Sequence, residues 1–150
     1  MRVVVQKVKN ASVKANNQLA GEIKNGLVVL AGYESSDNSE DISWMIQKII
    51  KMRIFNDSEN KLNFSVEDVD GEILLISQFT LHASVKKGNR PSYIKAADSK
   101  RAKQMYDQTI SEFETVLKRK ISTGKFGTNM EVSLVNNGPV TITIDSKKKE

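Results

Sequence analysis

Two apolar rhythms run along this chain, one of period two and one of period three to four. The period-two segments read as strands. They are Arg2 to Val8, Ala11 to Ala15, Leu19 to Ile23 and Leu27 to Tyr33, with Asn16-Asn17-Gln18 as a turn and Asn25-Gly26 as a hairpin turn. Arg53-Ile54-Phe55 reads as a short strand, 56–60 as a turn, and Glu72 to Phe79 as the clearest buried strand. Near the C-terminus, Val132 to Val135 and Val140 to Ile144 form two more strands around Asn136-Asn137-Gly138-Pro139. Proline has no N–H for a ladder and glycine reaches unusual backbone angles. That step is either a turn or a place where backbone groups face a ligand.

The helical rhythm occurs twice. Ile42, Met45, Ile46, Ile49 and Ile50 make one apolar stripe, with Ser39 as its expected N-cap and Glu40 and Asp41 in the first turn. A second helix is predicted from about Asp98 to Arg119, turning Ala102, Met105, Tyr106, Thr109, Phe113, Val116 and Leu117 inward. His82 to Ala97 and Gly124 to Asn129 read as loops. Two helices among many short strands predict an α+β fold. The expected architecture is a curled or closed, antiparallel-dominated β-sheet barrel with the two main helices packed outside. The 150 residues fit one domain, 1–150.

Composition narrows the chemistry. With no cysteine, disulfides, thiolate metal sites and cysteine nucleophiles are excluded together. The single histidine, His82, is too few for a catalytic zinc centre, so neither metal nor other cofactor is expected. P-loop, His-Glu-x-x-His and Gly-x-Ser-x-Gly motifs do not occur. No orienting pattern supports Ser77 with His82 as nucleophile and base, and Asp68 and Asp70 read as solvated loop carboxylates. The longest apolar run, Leu27 to Ala31, is far too short for a bilayer, and a soluble, cytoplasmic protein with no membrane partner is expected. Of the net charge of +5, the stretch Lys147-Lys148-Lys149-Glu150 supplies +2. Residues 146–150 read as a basic, frayed tail, and the remaining excess permits an RNA partner without demanding one. Two places can bind polar groups through general chemistry. Ser77-Gln78-Phe79-Thr80-Leu81 ends a hydrophobic strand where freed amides can cradle an oxyanion. Lys86, Lys87, Arg90 and Lys95 form a basic loop around Gly88 and Pro91.

Together these segments resemble the D-aminoacyl-tRNA deacylases over nearly the whole length. Gln6-Lys7-Val8 with Ala11-Ser12-Val13 resembles the family's first strand, and Ser77-Gln78-Phe79-Thr80-Leu81 its first signature. Lys87-Gly88-Asn89-Arg90-Pro91-Ser92 resembles the loop that follows. Gly124-Lys125-Phe126-Gly127 and Met130 precede the second signature, Asn136-Asn137-Gly138-Pro139-Val140-Thr141. The resemblance implies a homodimer that hydrolyses the ester between a D-amino acid and the 3′-terminal adenosine of tRNA, a carboxylic ester hydrolase used in proofreading. It implies a cis Gly138-Pro139 bond whose carbonyls enter the partner's pocket and exclude L-amino acids, with mischarged glycyl-tRNA still accepted. Gln78, Phe79 and Thr80 are then the catalytic segment, aided by the tRNA 2′-hydroxyl, with Thr80 not a covalent nucleophile. Ser77, Leu81, Phe126, Met130, Gly138 and Pro139 become substrate-binding positions, and Lys86, Lys87 and Arg90 RNA contacts.

Three positions depart from the family pattern. Lys7 stands where arginine is usual, Asn137 where aspartate is usual, and Ser84 where aspartate is common. Two rivals remain: a sibling with a trans Gly-Pro bond that edits L-alanyl-tRNA(Thr), and a non-catalytic barrel binding RNA or a small ligand.

Overall fold

The computed structural model describes residues 1–149. Its organising element is β1 (Arg2–Ala15), one bent strand where the sequence suggested two. β1 bends because its register against the last strand shifts twice, between Gln6 and Val8 and between Val8 and Asn10. Its first half pairs antiparallel with β3 (Gly26–Gly32), and its second half with β2 (Gln18–Ile23). Asn25-Gly26 is therefore not a hairpin turn between β2 and β3; each of those strands pairs with a different half of β1. The local Asn-Gly signal was overridden by a partner long enough to serve both strands.

β6 (Glu72–Ser77) lies parallel to β3, and β7 (Ser122–Thr123) lies parallel to β6. β4 (Phe55–Asn56) and β5 (Leu62–Phe64) form a small separate ribbon. The main sheet, in the order β2-β1-β3-β6-β7, curls until β2 meets β7. There the Ser122 hydroxyl donates to the Glu22 carbonyl at 2.8 Å. Gly21 permits this approach, since a Cβ would lie 2.7 Å from the Thr123 carbonyl oxygen. The expected closed α+β barrel is thus present, with a parallel seam inside a mainly antiparallel sheet.

The helices α1 (Ser39–Lys51) and α2 (Ser99–Leu117) cover one face of the sheet. The cap of α1 is Asn38 rather than Ser39: Asn38 Oδ1 accepts from the Glu40 and Asp41 amides, and Asp41 accepts from the Asn38 amide. Strand alternation then sorts residues between two cores. Val3, Val5, Leu27, Val29, Ile73 and Leu75 pack against the helices, with Ile42, Met45, Ile46, Ile49 and Phe113. Val8, Val13, Val28, Leu74 and Ile76 face inside the curl.

β8 (Met130–Asp145) pairs with β1 from end to end and serves both cores: Met130 and Leu134 pack on the inner one, Val140, Ile142 and Ile144 on the helical one. The last described residues are not frayed. Ser146 is buried, Lys147 Nζ donates to Asp41 at 2.7 Å, and Lys149 Nζ sits 4.9 Å from the centre of the Trp44 ring. Glu150, also part of the expected tail, lies outside the described residues.

Candidate active site

The parallel pairing of β3 and β6 brings two strand ends together, with Ala31 opposite Ser77. β6 stops there. The Gln78 amide makes one last bond, to the Ala31 carbonyl at 2.7 Å, and the chain enters a short 3-10 helix, Phe79–His82. Phe79 thus lies outside the strand, not at its end. The Gln78 N–H is engaged, so the expected amide cradle narrows to Phe79 and Thr80, whose N–H groups open the short helix without a preceding turn. The Gln78 side chain contributes separately: its Nε2 donates to Thr80 Oγ1 at 2.6 Å.

Beside this turn opens a cavity of about 640 Å³. Of the sequence-predicted residues, Ser77, Gln78, Phe79, Phe126 and Met130 line it. Thr80 reaches it through Gln78, while the Leu81 carbonyl instead accepts from Arg2 Nη1 at 2.7 Å. Lys86, Lys87 and Arg90 are exposed on a loop outside the lining, pinched where the Ser84 and Ser92 backbones exchange bonds of 2.8 and 2.9 Å. Tyr33, Tyr93 and Ala102 line the cavity without having been singled out for it. Tyr93 meets Phe79 edge-on with ring centres 5.0 Å apart. Tyr33 donates to Thr109 Oγ1 at 2.9 Å, and burial pushes its phenol above the ordinary tyrosine range. Tyr33 follows directly on β3, whose parallel register with β6 sets the strand end beside this turn, and that register has no short-range sequence signal.

The second site segment lies mid-strand. Asn136 of β8 pairs with Val8 and Thr141 pairs with Gln6, so residues 137–140 bulge out opposite Lys7 alone. The Asn136-to-Pro139 step is therefore neither a hairpin turn nor a break: a single strand passes through it. The Gly138-Pro139 peptide is cis, and both residues are exposed. Gly138 has φ +135°, and a Cβ there would lie 2.8 Å from Val140 Cγ2, so the position demands glycine. Gly138 and Pro139 do not line the cavity of their own chain. Lys7 is buried opposite the bulge, donating to Asn56 Oδ1 at 2.9 Å with its ammonium 5.8 Å from the Phe55 ring centre. Burial lowers its pKa from the ordinary lysine value.

Among the described residues, no group of three or more potential metal ligands comes together. No hydrogen bond links Ser77 to His82, which is buried with its Nε2 unpartnered.

A family model described as D-Tyr-tRNA(Tyr) deacylase matches residues 4–145, spanning both site segments. The chain belongs to that family. A D-aminoacyl-tRNA deacylase of Flavobacterium psychrophilum is 53% identical over 150 residues, covering 100% of both chains. One from Flavobacterium johnsoniae is 54% identical over the same full length. A solved structure described as a c-Myc DNA unwinding element binding protein superposes with a TM-score of 0.92 at 36% identity, over 97% of this chain and 98% of that one. No helix among the described residues is long and apolar enough to cross a membrane.

Proposed function

We propose that this deacylase-family chain hydrolyses the ester between a D-amino acid and the 3′-terminal adenosine of tRNA. The observation that carries this is full-length likeness to D-aminoacyl-tRNA deacylases, with one signature lining the cavity and the other forming the β8 bulge. Water attacks the ester carbonyl, the bond to the tRNA oxygen breaks, and a proton passes to that oxygen as amino acid and tRNA separate. An aminoacyl ester is already activated, so positioning and oxyanion donors suffice without a strong nucleophile. The Phe79 and Thr80 amides stabilise the oxyanion, the Gln78–Thr80 pair orders the turn, and the tRNA 2′-hydroxyl assists. Thr80 forms no covalent intermediate.

Selectivity rests on exclusion. The chain acts as a homodimer in which the Gly138 and Pro139 carbonyls enter the partner's cavity. They leave room for a D side chain or for glycine, but not for an L side chain. The exposed bulge, and Val135 uncovered on the same strand, are consistent with a partner beside β8. Lys86, Lys87 and Arg90 contact tRNA phosphates, and a cytoplasmic location suits that substrate.

The test is release of D-tyrosine from D-tyrosyl-tRNA with L-tyrosyl-tRNA left charged. Equal rates on the two esters would sink the gate. Preferential hydrolysis of L-alanyl-tRNA(Thr) would assign the sibling activity. A binding barrel, the reading nearest the description of the DNA-element-binding structure, would leave every ester intact. Sedimentation of a fully active monomer would overturn the dimer.

A further inference from the structure

We infer that Asn136 is a positioning residue that sets the direction of the gate carbonyls by closing the neck of the β8 bulge. This rests on the gate reading above. A strand that loses its ladder for four residues needs something else to fix them, because unpaired backbone otherwise samples many conformations. Asn136 supplies that at both ends. Its Oδ1 accepts from the Val140 amide at 2.9 Å, and its Nδ2 donates to Thr141 Oγ1, also at 2.9 Å. Gln6 Nε2 approaches the same threonine oxygen at 3.4 Å from the neighbouring strand. One side chain therefore ties Asn136, the last paired residue before the bulge, to Val140 at its far end and to Thr141, where pairing with β1 resumes.

The chemistry explains the residue type. The neck needs an acceptor for Val140 N–H and a donor for Thr141 Oγ1 on one short side chain, and an amide provides both. Val140 also packs on the helical core, so the clamp connects the exposed loop to a fixed wall. The clamp touches no reacting atom. It acts on selectivity through the angle at which Gly138 and Pro139 are presented.

The experiment measures D- and L-tyrosyl-tRNA hydrolysis side by side, with exchange protection of the Val140 amide, in wild type, Asn136→Ala, Asn136→Asp and Thr141→Val. Asn136→Ala is expected to lower the D-over-L rate ratio about tenfold, mainly through faster loss of the L-ester, the scale of one or two hydrogen bonds. Val140 exchange should rise in the same variant. Asn136→Asp keeps the acceptor for Val140 but loses the donor to Thr141 Oγ1, so both readouts should fall between wild type and Asn136→Ala. An unchanged ratio in Asn136→Ala, or an equal fall in both rates, overturns the positioning role. If that variant does not fold, Thr141→Val decides: a fall of about threefold supports the clamp, and no change overturns it. A wild-type protein that does not distinguish the enantiomers removes the gate itself. In that event Val140 protection still tests the clamp.

Discussion

The two site segments expose backbone in opposite ways. At the end of β6 the ladder stops and a short helix begins, so amides are freed by termination. In β8 the ladder continues on both sides, and carbonyls are exposed by an interruption four residues long. A terminus has room to spare, and its side chains can change while its amides stay. An interruption is confined at both ends, so its geometry is sensitive to a single added carbon. The first segment can serve as a general cradle. The second can serve as a stereochemical one.

The contrast breaks most visibly at Gly138. Gly138→Ala introduces a Cβ at a positive φ and against Val140, and should reduce kcat/KM on D-tyrosyl-tRNA about 100-fold. Near-normal kinetics would show that the interruption is not confined. A smaller effect is expected at the terminus. Thr80→Ala loses the bond from Gln78 but keeps the amides, and should lower kcat about tenfold or less. A loss on the order of 10⁴-fold with a trapped acyl-enzyme would make the hydroxyl a nucleophile and erase the distinction.

The smallest effect lies far from both segments. Asp41 is held at about 2, below its ordinary 3.8: burial alone would raise it, but bonds from Lys147, Ser146 and the Asn38 amide outweigh that. Its stabilising contribution is complete above the unfolded value and is lost as pH falls from about 4 towards 2. Denaturant unfolding should weaken over that window, and Asp41→Asn should flatten the dependence without altering the D-over-L ratio at neutral pH.

Much of this was legible in the sequence where the cause is local. The α1 stripe follows from side-chain spacing, and every residue in it is buried. Tyr106, Thr109 and Phe113 of α2 are buried for the same reason. What depends on distant partners was not legible. β1 read as two strands because its bend disrupts alternation at Lys9 and Asn10, while pairing with β8 carries it across. The Asn-Gly step suggested a hairpin because nothing local reveals a third strand long enough to take both arms. Tyr33 carries no local signal of its role, because its place at the cavity depends on a parallel register. The basic residues near the C-terminus looked solvated, yet Lys147 finds Asp41 across 106 positions of sequence. The Gly-Pro step shows in the sequence as an interruption between strand-like runs, but its placement opposite Lys7 follows only from the register.

The crossing of β1 and β8 from one core to the other has a consequence for how the molecule opens. Layers served by separate segments can melt separately, as independent foldons. Here Val5 and Val13 share one strand while anchoring different cores, as do Leu134 and Ile142 on its partner. Loosening either layer pulls on the same ribbon, so the two cores are bound into one cooperative unit. The bulge sits at the waist of that ribbon, where fraying from either end arrives last.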